Sequence, residues 1–579
     1  MLMIESFIRT DAKDDCILVE EFIDSEEASL SKVVTNADDN IYAWKLGEDL
    51  SAEQSGALLS RYSRTSLTGR RLFLKEFLPN KSRGKEFFES WLVDYGDDSI
   101  QEMAGGMPMS CEFISNIAAK EIEDSRFGSY IEKSTRYVPF DMKLKNGDYM
   151  FYKDRDILSS RFGDEYLELM RSLFDSYAKN MDKMTAFIRE SNPFEEQKFS
   201  VRSTTVTSQE MSSSMEERLG VTINDLQKSY DNATKANALD FMRDYLPMSL
   251  LTHVGISMNA RSYESAITKL LASPLSECNF IGSRMHRELT KVVPSLLKRI
   301  NDSHGAYGRE FISNSRDNSI LAVAGLSERI QPDNDRELVR LIDYTGMGSK
   351  DPDMAASIKL ASFIVYRFGK GFSLSQSIAI ADSMSQAERE SVISSYVCVR
   401  KNRRHKPGRA FENISLTLDF CSRIGIYRDL QRHRVGTQER QMFTVKHGYN
   451  MRDQFKDIGI EDDYKSKMEQ VISLYNRISE AMPYQAQYVV TFGFNIRWYY
   501  SLNARQMFHF CELRTGMGGH PDYRDLAQKV YLAASKVLPS VTKYMNFMNM
   551  EPKQMGRLES EIRIAQKKRD AQKKFETRQ

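Results

Sequence analysis

Cysteine is scarce in this sequence, and long apolar runs are missing. The six cysteines among 579 residues are scattered and never form a Cys-x-x-Cys pair, which excludes a disulfide scaffold and argues against a structural zinc site. No apolar run approaches the roughly 18 residues that a membrane span needs, and the N-terminus lacks the basic flank and apolar core of a signal peptide. We therefore expect a cytoplasmic protein with no membrane partner and no metal.

An excess of either charge is also missing. The 81 basic residues balance 80 acidic ones, so the net charge is +1. A protein that coats nucleic acid would carry a basic excess, so nucleic acid is not an expected partner, whereas a local pocket for a phosphorylated small molecule stays open. With 41% hydrophobic residues the chain can bury real cores, and its length favours about four ordinary domains or two large ones.

An internal repeat is the most informative feature of the sequence. Segment 258–261 reads Met-Asn-Ala-Arg and segment 502–505 reads Leu-Asn-Ala-Arg. Downstream, Lys-Val-Val-Pro-Ser at 291–295 matches Lys-Val-Leu-Pro-Ser at 536–540. From Asn to Pro the spacing is 35 residues in the first copy and 36 in the second. A period of more than 200 residues excludes a solenoid and indicates duplication of a whole domain.

The pattern around these repeats predicts an α+β fold. Both motifs show helical periodicity, and β-rich runs such as 488–494 feed them, so we expect a small sheet with long helices in each copy. The two tandem copies are expected to form a pseudo-dimer. The predicted domains are residues 1–300, with an acidic N-terminus and an insertion at about 140–235, a linker at 301–318, a second copy at 319–550 and a basic helical or disordered tail at 551–579.

The densest chemistry-bearing cluster that we identify in the sequence is Gln431-Arg432-His433-Arg434. Three adjacent cationic or switchable donors cannot all be buried without an anionic partner. They could therefore cradle a phosphate, a pyrophosphate or an anionic ring, with an exposed basic loop as the alternative.

Two further motifs place polar residues on one face of an element. On a helix, Asn503 and Arg514 lie along one stripe about three turns apart, either as a site or as a helix whose arginine pairs with a neighbouring carboxylate. On an extended strand, Glu132, Ser134 and Arg136 share one face. That set suits a uracil edge, a ribose and a phosphate, or it is a plain solvent-facing edge.

Together these segments resemble a known family. Segment 95–102 (Tyr-Gly-Asp-Asp-Ser-Ile-Gln-Glu) and segment 129–137 (Ser-Tyr-Ile-Glu-Lys-Ser-Thr-Arg-Tyr), with the Asn-Ala-Arg motifs, resemble the flavin-dependent thymidylate synthases. That family's signature is Arg-His-Arg, seven residues, then Ser, with Glu two residues before the Ser and Arg two after it. Each half carries part of this signature, so the chain looks like a tandem fusion of two family domains.

The two halves depart from the family pattern in opposite ways. At the places of the family's first Arg, its His and its dUMP-activating Arg, the first half has Asp124, Ser125 and Leu270. It keeps the nucleotide-binding set, Glu132, Ser134, Arg136 and Arg243. The second half keeps the other set, Gln431, Arg432, His433, Arg434, Asn503 and Arg514. Where the nucleotide-binding set would stand it has Arg440, Met442, Thr444 and Gln487.

The resemblance implies an activity and a role for each residue. The chain would methylate dUMP to dTMP with methylenetetrahydrofolate and FAD, and NADPH would reduce the flavin. Arg514 would be the catalytic residue, at the uracil edge. The implied flavin contacts are Arg432, His433, Arg434, Asn503, Arg505, His509, Ser99 and Glu102. The implied dUMP ligands are Gln431, Glu132, Ser134, Arg136 and Arg243.

The resemblance also implies an assembly. Family members are homotetramers whose sites combine residues of several subunits, so we expect one complete composite site per chain. A homodimer of the fused chain would then mimic the tetramer. The alternatives are another flavin-dependent enzyme that modifies a uridine nucleotide, and a catalytically inactive nucleotide-binding or structural paralogue.

Overall fold

The chain divides into two compact units. The structure, a computed structural model, describes residues 8–11, 14–79, 102–202, 204–327, 329, 336–551 and 555–576. The first unit takes the described residues within 1–333, 450–493 and 561–579, and the second takes those within 334–449 and 494–560. The chain therefore enters and leaves the first unit more than once.

Both units combine short sheets with many helices. The strands are β1 (Ile8–Asp11), β2 (Asp14–Glu20), β3 (Ile41–Ala43), β4 (Met107–Ser115), β5 (Ser129–Glu132), β6 (Phe199–Val201), β7 (Thr204–Val206), β8 (Leu251–Met258), β9 (Arg340–Tyr344), β10 (Ser415–Arg423), β11 (Thr437–Arg440) and β12 (Asn495–Asn503). The helices are α1 (Asp24–Leu30), α2 (Ala52–Tyr62), α3 (Gly69–Leu72), α4 (Asn116–Glu123), α5 (Arg155–Leu158), α6 (Gly163–Ser191), α7 (Ser213–Leu219), α8 (Ile223–Met242), α9 (Ala260–Leu271), α10 (Ser276–Thr290), α11 (Ser303–Ser327), α12 (Pro352–Phe368), α13 (Leu374–Ser383), α14 (Gln386–Val397), α15 (Ile424–Leu430), α16 (Asp453–Asp457), α17 (Glu461–Ala481), α18 (Ala504–Arg514), α19 (Pro521–Val537), α20 (Pro539–Thr542) and α21 (Gly556–Glu576).

The main sheets of the two units have the same topology. In the first unit the strand order is β3-β4-β8-β5, and in the second it is β9-β10-β12-β11, with every neighbouring pair antiparallel. In each sheet the two long strands lie at the centre and the two short strands lie at the edges. The α+β class and the two tandem copies expected from the sequence are thereby confirmed.

The Asn-Ala-Arg repeat marks the same structural position in both copies. The central strands β8 and β12 each run directly into a helix, and an asparagine caps that helix. The side chain of Asn259 accepts a hydrogen bond from Ser262 N at 2.9 Å, and that of Asn503 accepts one from Gln506 N at 2.8 Å. Both bonds satisfy a backbone donor that the helix itself cannot satisfy.

Long helices form the core of the first unit beside its sheet. Along α6 the residues Tyr166, Met170, Leu173, Tyr177 and Met184 recur at helical spacing and are fully buried. This apolar stripe is why α6 packs against both α8 and α17. The helix α17 belongs to segment 450–493, which the second half of the sequence contributes to the first unit.

Two polar contacts hold this contributed segment in place. Arg452 makes a buried, two-pronged ion pair with Asp244, at 2.5 Å from Nε to Oδ2 and 3.1 Å from Nη2 to Oδ1. Tyr245 donates its hydroxyl hydrogen bond to Asp463 at 2.9 Å. Because both pairs join residues far apart in sequence, the segment is an integral part of the first unit.

The stretches that precede β8 and β12 pair with each other within the first unit. Met248 N donates to Val490 O at 2.8 Å, and Phe492 N donates to Leu246 O at 2.9 Å. These two bonds join corresponding positions of the repeat in reciprocal fashion. The expectation of a β-rich run at 488–494 is wrong, because β12 begins only at residue 495 and the buried stretch before it satisfies its backbone in this crossing.

The predicted domain limits fall at identifiable places. The linker proposed at 301–318 falls mostly on the first part of α11, whose start is capped by the side chain of Asp302. The tail at 551–579 contains α21, where Arg569 pairs with Asp225 at 2.9 Å. The insertion at about 140–235 contains α5 to α7, most of α8 and the β6–β7 hairpin. These limits remain predictions.

Within the described residues, no helix is both long enough and apolar enough to cross a membrane.

Candidate active site

The helix α18 carries several of the predicted site residues in the second unit. Its inward face carries Met507, Phe508, Phe510 and Cys511, all buried, so the helix is fixed against the sheet. Met507 and Cys511 are core residues, as their apolar character suggests. The helix extends the full span from the Asn503 cap to Arg514, as its periodicity predicts.

A buried imidazole accepts a hydrogen bond from the arginine at the end of α18. Arg514 Nε donates to His433 Nε2 at 2.7 Å. The imidazole must be neutral at Nε2 to accept this bond. Burial, and after it the positive charge of Arg514, hold the pKa of His433 well below its usual range. Arg514, at the end of the motif that begins at Asn503, thus contacts the Arg-His-Arg motif directly.

Aromatic rings enclose this pair. The His433 ring lies 4.8 Å from the Phe510 ring and 5.5 Å from the His509 ring, measured between centroids. The Arg514 guanidinium lies over the Tyr523 ring, 5.3 Å from its centroid. Burial is the main influence on the pKa of Arg514, and it lowers that pKa. A guanidinium held between a ring face and an imidazole keeps a fixed orientation.

The surroundings of the pair are electropositive. Burial, and then the charges of Lys406 and Arg403, lower the pKa of His509 to about 4. Arg505 donates from Nε to the carbonyl of Pro407 at 2.8 Å and pairs with Glu412 at 3.3 Å. At pH 7 both imidazoles are therefore neutral while the arginines are charged, and the arrangement can bind an anion and donate hydrogen bonds to it.

The rest of the Arg-His-Arg motif lies at the end of α15. Gln431 caps this helix and is buried, Arg432 is exposed and Arg434 is half-buried. The motif is therefore neither a plain exposed loop nor a plain core segment. Its central histidine faces inward, and the two flanking arginines are at least partly accessible to a ligand.

The nucleotide-binding set predicted from the first half lies in the first unit. Glu132 ends β5 and is buried against Lys120, whose Nζ lies 3.0 Å from Glu132 Oε2. Arg136 pairs with Asp240 on the last turn of α8 at 3.0 Å, and Arg243 directly follows that helix. The salt bridge thus brings the chain around Arg136 to the end of α8 where Arg243 begins a short 3₁₀ helix.

The strand predicted through this set is wrong beyond Glu132. Ser134 directly precedes the turn at residues 135–137, and its Oγ accepts a hydrogen bond from Arg136 N at 3.2 Å. The backbone turns here because Val138 N donates to Ser134 O at 3.1 Å. Hydroxyl side chains commonly compete with strand pairing in this way. The three residues therefore do not alternate on one strand face.

Of the two flavin contacts predicted in the first half, only Glu102 lies among the described residues. Glu102 is exposed, just before β4. Ser99 lies outside the described residues.

Sequence reasoning missed several supporting residues of these sites. Lys120 is the buried partner of Glu132, and Asp240 is the partner of Arg136. Tyr523 supports Arg514, and Lys406 contributes to the positive field around His509. Only the last had a visible signal, because it belongs to a run of basic residues at 400–409.

The donor set in the second unit fits a flavin dinucleotide. Arg432, Arg434 and Arg505 are guanidinium groups, which suit a pyrophosphate, and the neighbouring rings suit a planar heterocycle. Among the described residues, no group of three or more His, Cys, Asp or Glu side chains is arranged to hold a metal ion.

Comparison with known proteins gives matches over most of the chain. The family of thymidylate synthase complementing proteins (Thy1) matches at residues 50–295 and again at 340–540. A UPF0159 protein of Chlamydia pneumoniae is 32% identical over 566 residues, covering 94% of this chain and 98% of the relative. A UPF0159 protein of Thermoplasma acidophilum is 30% identical and covers 88% and 98%. Among solved structures, a UMP/dUMP methylase, PolB, from Streptomyces cacaoi, bound with 5-Br dUMP, aligns with a TM-score of 0.28 at 17% identity, over 36% of this chain and 94% of that one.

Proposed function

Because the chain belongs to the family of thymidylate synthase complementing proteins, with one match in each half, we propose that it is a flavin-dependent thymidylate synthase. It would transfer a methylene group from methylenetetrahydrofolate to dUMP and reduce it to the methyl group of dTMP. FAD, when bound, supplies the hydride for this reduction, and NADPH reduces the flavin again. The roles of this chain's residues follow from their contacts.

The observation that carries the proposal is the hydrogen bond between Arg514 and His433, set among other cations. A uracil ring is easier to attack when negative charge on its carbonyl and N3 edge is stabilised. A guanidinium that is already oriented can provide this stabilisation without reorganising during the reaction. The neutral His433 ring holds Nε of Arg514, and Tyr523 supports the same guanidinium, so its orientation is set before a base binds.

The flavin would lie against the second unit's cationic residues. We assign Arg432, Arg434 and Arg505 to its phosphates and His433 and His509 to its rings, on their side-chain chemistry and their position around α18. Asn503 would add an amide donor besides capping the helix. Ser99 and Glu102 are proposed contacts from the first half.

The nucleotide would be held by the residues that the first half has kept. Glu132, Arg136 and Arg243 are buried or nearly so, which is costly for charged groups unless partners neutralise them. Ser134 and Gln431 complete the set. Each copy retains the residues that the other lacks, and this supports one composite site per chain. We further propose a homodimer of the fused chain.

The test is the visible absorbance of the purified protein before and after addition of dUMP. A flavin spectrum that dUMP perturbs is expected, because the proposed site brings the two ligands together. A methylation assay with methylenetetrahydrofolate and NADPH should then yield dTMP. Methylation of another uridine nucleotide, with no dTMP, would favour a different flavin-dependent enzyme.

Matched variants separate catalysis from scaffolding. Arg514→Ala should abolish turnover while flavin stays bound. Arg505→Ala should weaken flavin binding, whereas Arg261→Ala, the same position in the other copy, should not, because that copy has lost the rest of its flavin set. A protein that stays colourless after incubation with FAD, and in which Arg514→Ala changes only stability, would be an inactive paralogue.

A further inference from the structure

A basic loop at residues 400–409 lies between α14 and β10 in the second unit. Its sequence is Arg-Lys-Asn-Arg-Arg-His-Lys-Pro-Gly-Arg, with six Lys or Arg among ten residues and no Asp or Glu. None of these residues has a role in the proposed flavin or nucleotide set. A run of this charge density is usually a solvated surface segment, so its position decides whether it has a function.

The loop is fixed against α18 at both ends. At its start, Arg400 makes two hydrogen bonds with Glu512, at 2.7 Å and 2.5 Å, and both side chains are buried. Near its end, Arg505 Nε donates to the carbonyl of Pro407 at 2.8 Å. Glu512 and Arg505 both belong to α18, the helix that carries His509. The loop is therefore held in place beside the candidate active site.

Two cations of the loop, Lys406 and Arg403, influence that site electrostatically. Lys406 is exposed and Arg403 is half-buried. Throughout the described part of the chain, no carboxylate forms an ion pair with either of them. Their charges reach the site, because they are the largest influence after burial on the pKa of His509, which is lowered to about 4. Positive charges held close together without counter-charges favour a ligand with several negative charges.

We propose that the basic loop binds the anionic arm of a co-substrate, a flexible chain bearing two or more carboxylates or phosphates, while the reactive ring of that co-substrate occupies the neighbouring site. This inference rests on the proposed function, whose co-substrates carry such arms: folates bear glutamyl carboxylates and NADPH bears phosphates. A single-stranded nucleic acid fits less well, because the loop has no Phe, Tyr or Trp on which a base could stack.

The test compares full-length proteins that differ in the loop. The double variant Arg403→Gln with Lys406→Gln removes the two cations that most lower the pKa of His509. Lys401→Gln is the matched control, since it neutralises an exposed cation of the same loop that is not among the main influences on the pKa of that histidine. Equilibrium titrations use a triglutamyl tetrahydrofolate and its monoglutamyl form, and NADPH and NADH.

The expected result is a loss of affinity of about tenfold or more for one pair of probes in the double variant, with little change in the control. A loss confined to the triglutamyl form or shared by both folates identifies carboxylates as the ligand, and a loss confined to NADPH or shared by NADPH and NADH identifies phosphates. If all four dissociation constants stay within about twofold of the wild-type values, or if none of the probes binds the wild-type protein, the proposal is refuted.

Two readouts keep this inference distinct from the proposed function. Nuclear magnetic resonance titration of His509 needs no activity, and its pKa should rise in the double variant and when an anionic probe binds to the wild type. If the protein binds the probes through the loop but never binds flavin, the proposed function fails while the anion site stands. If flavin and dUMP bind but the loop variants behave as wild type, only the anion site fails.

Discussion

Replacing Glu512 with glutamine should destabilise the second unit strongly. In the native protein this carboxylate makes two short hydrogen bonds with Arg400, and the two side chains are 1% and 2% exposed. Glutamine is nearly isosteric but neutral, so it would leave the guanidinium buried between the rings of Phe508 and Phe547 without a counter-charge. Breaking a buried ion pair from one side costs about 3–5 kcal/mol in the free energy of unfolding.

The measurement is urea unfolding followed by the fluorescence of Trp498, which is buried in the second unit. The other two tryptophans are replaced by phenylalanine in every variant alike. Glu390→Gln is the matched control, because its pair with Lys543 is 38–54% exposed and should contribute less than about 1 kcal/mol.

A second comparison checks the cause of the loss. If the penalty comes from an uncompensated charge, the double replacement Arg400→Met with Glu512→Leu should be much more stable than Glu512→Gln. A change of less than about 1 kcal/mol in Glu512→Gln would refute the reasoning, because it would mean that water or another group already compensates the guanidinium.

Three further predictions concern single side chains. Burial raises the pKa of Glu277 to about 7 from an ordinary 4.5. The contribution of this side chain to stability is therefore full below about pH 4.5 and falls by roughly 3 kcal/mol as the pH rises to about 7. Urea unfolding at pH 5 and pH 8 should show this fall in the wild type and not in Glu277→Gln. Asn503→Ala and Asn259→Ala should each lose about 1 kcal/mol of stability through the missing helix cap, but in a fluorescence titration only the first should also weaken FAD binding. Asp244→Asn should cost about 3–5 kcal/mol in the unfolding of the first unit, because it leaves Arg452 buried without its carboxylate, and equal stability of variant and wild type in urea would contradict this.

The duplication and the helix at the candidate site could be predicted from the sequence. The repeat of Asn-Ala-Arg marks the strand-to-helix junction in both copies, because an asparagine cap is a local requirement that the sequence states directly. The span of α18, from the Asn503 cap to Arg514, could also be predicted, because helical periodicity is a local pattern of the sequence.

The errors arose where tertiary contacts override the local pattern. The run 488–494 is apolar enough for a strand, but those residues are buried by crossing the stretch before β8. The alternation from Glu132 to Arg136 is equally regular, yet the hydroxyl of Ser134 turns the backbone after one strand residue of the three. Neither competing contact is visible in a single segment.

The partners of the charged site residues could not be predicted for a related reason. Lys120 meets Glu132, and Asp240 meets Arg136, over sequence separations of 12 and 104 residues. A charged residue that becomes buried needs a partner of opposite charge. The sequence alone does not identify that partner among the 161 Lys, Arg, Asp and Glu residues. Only the folded topology makes that choice.

The passage of residues 450–493 into the first unit has a consequence for synthesis on the ribosome. The first unit cannot complete its packing when residue 333 emerges, because Arg452 and Asp463, the partners of Asp244 and Tyr245, have not yet been made. Translation at ~5–20 residues per second makes this wait on the order of ten seconds. During that interval the surface that α17 later covers stays exposed, so the nascent chain depends on the second half for protection from aggregation in a way that two separately folding domains would not.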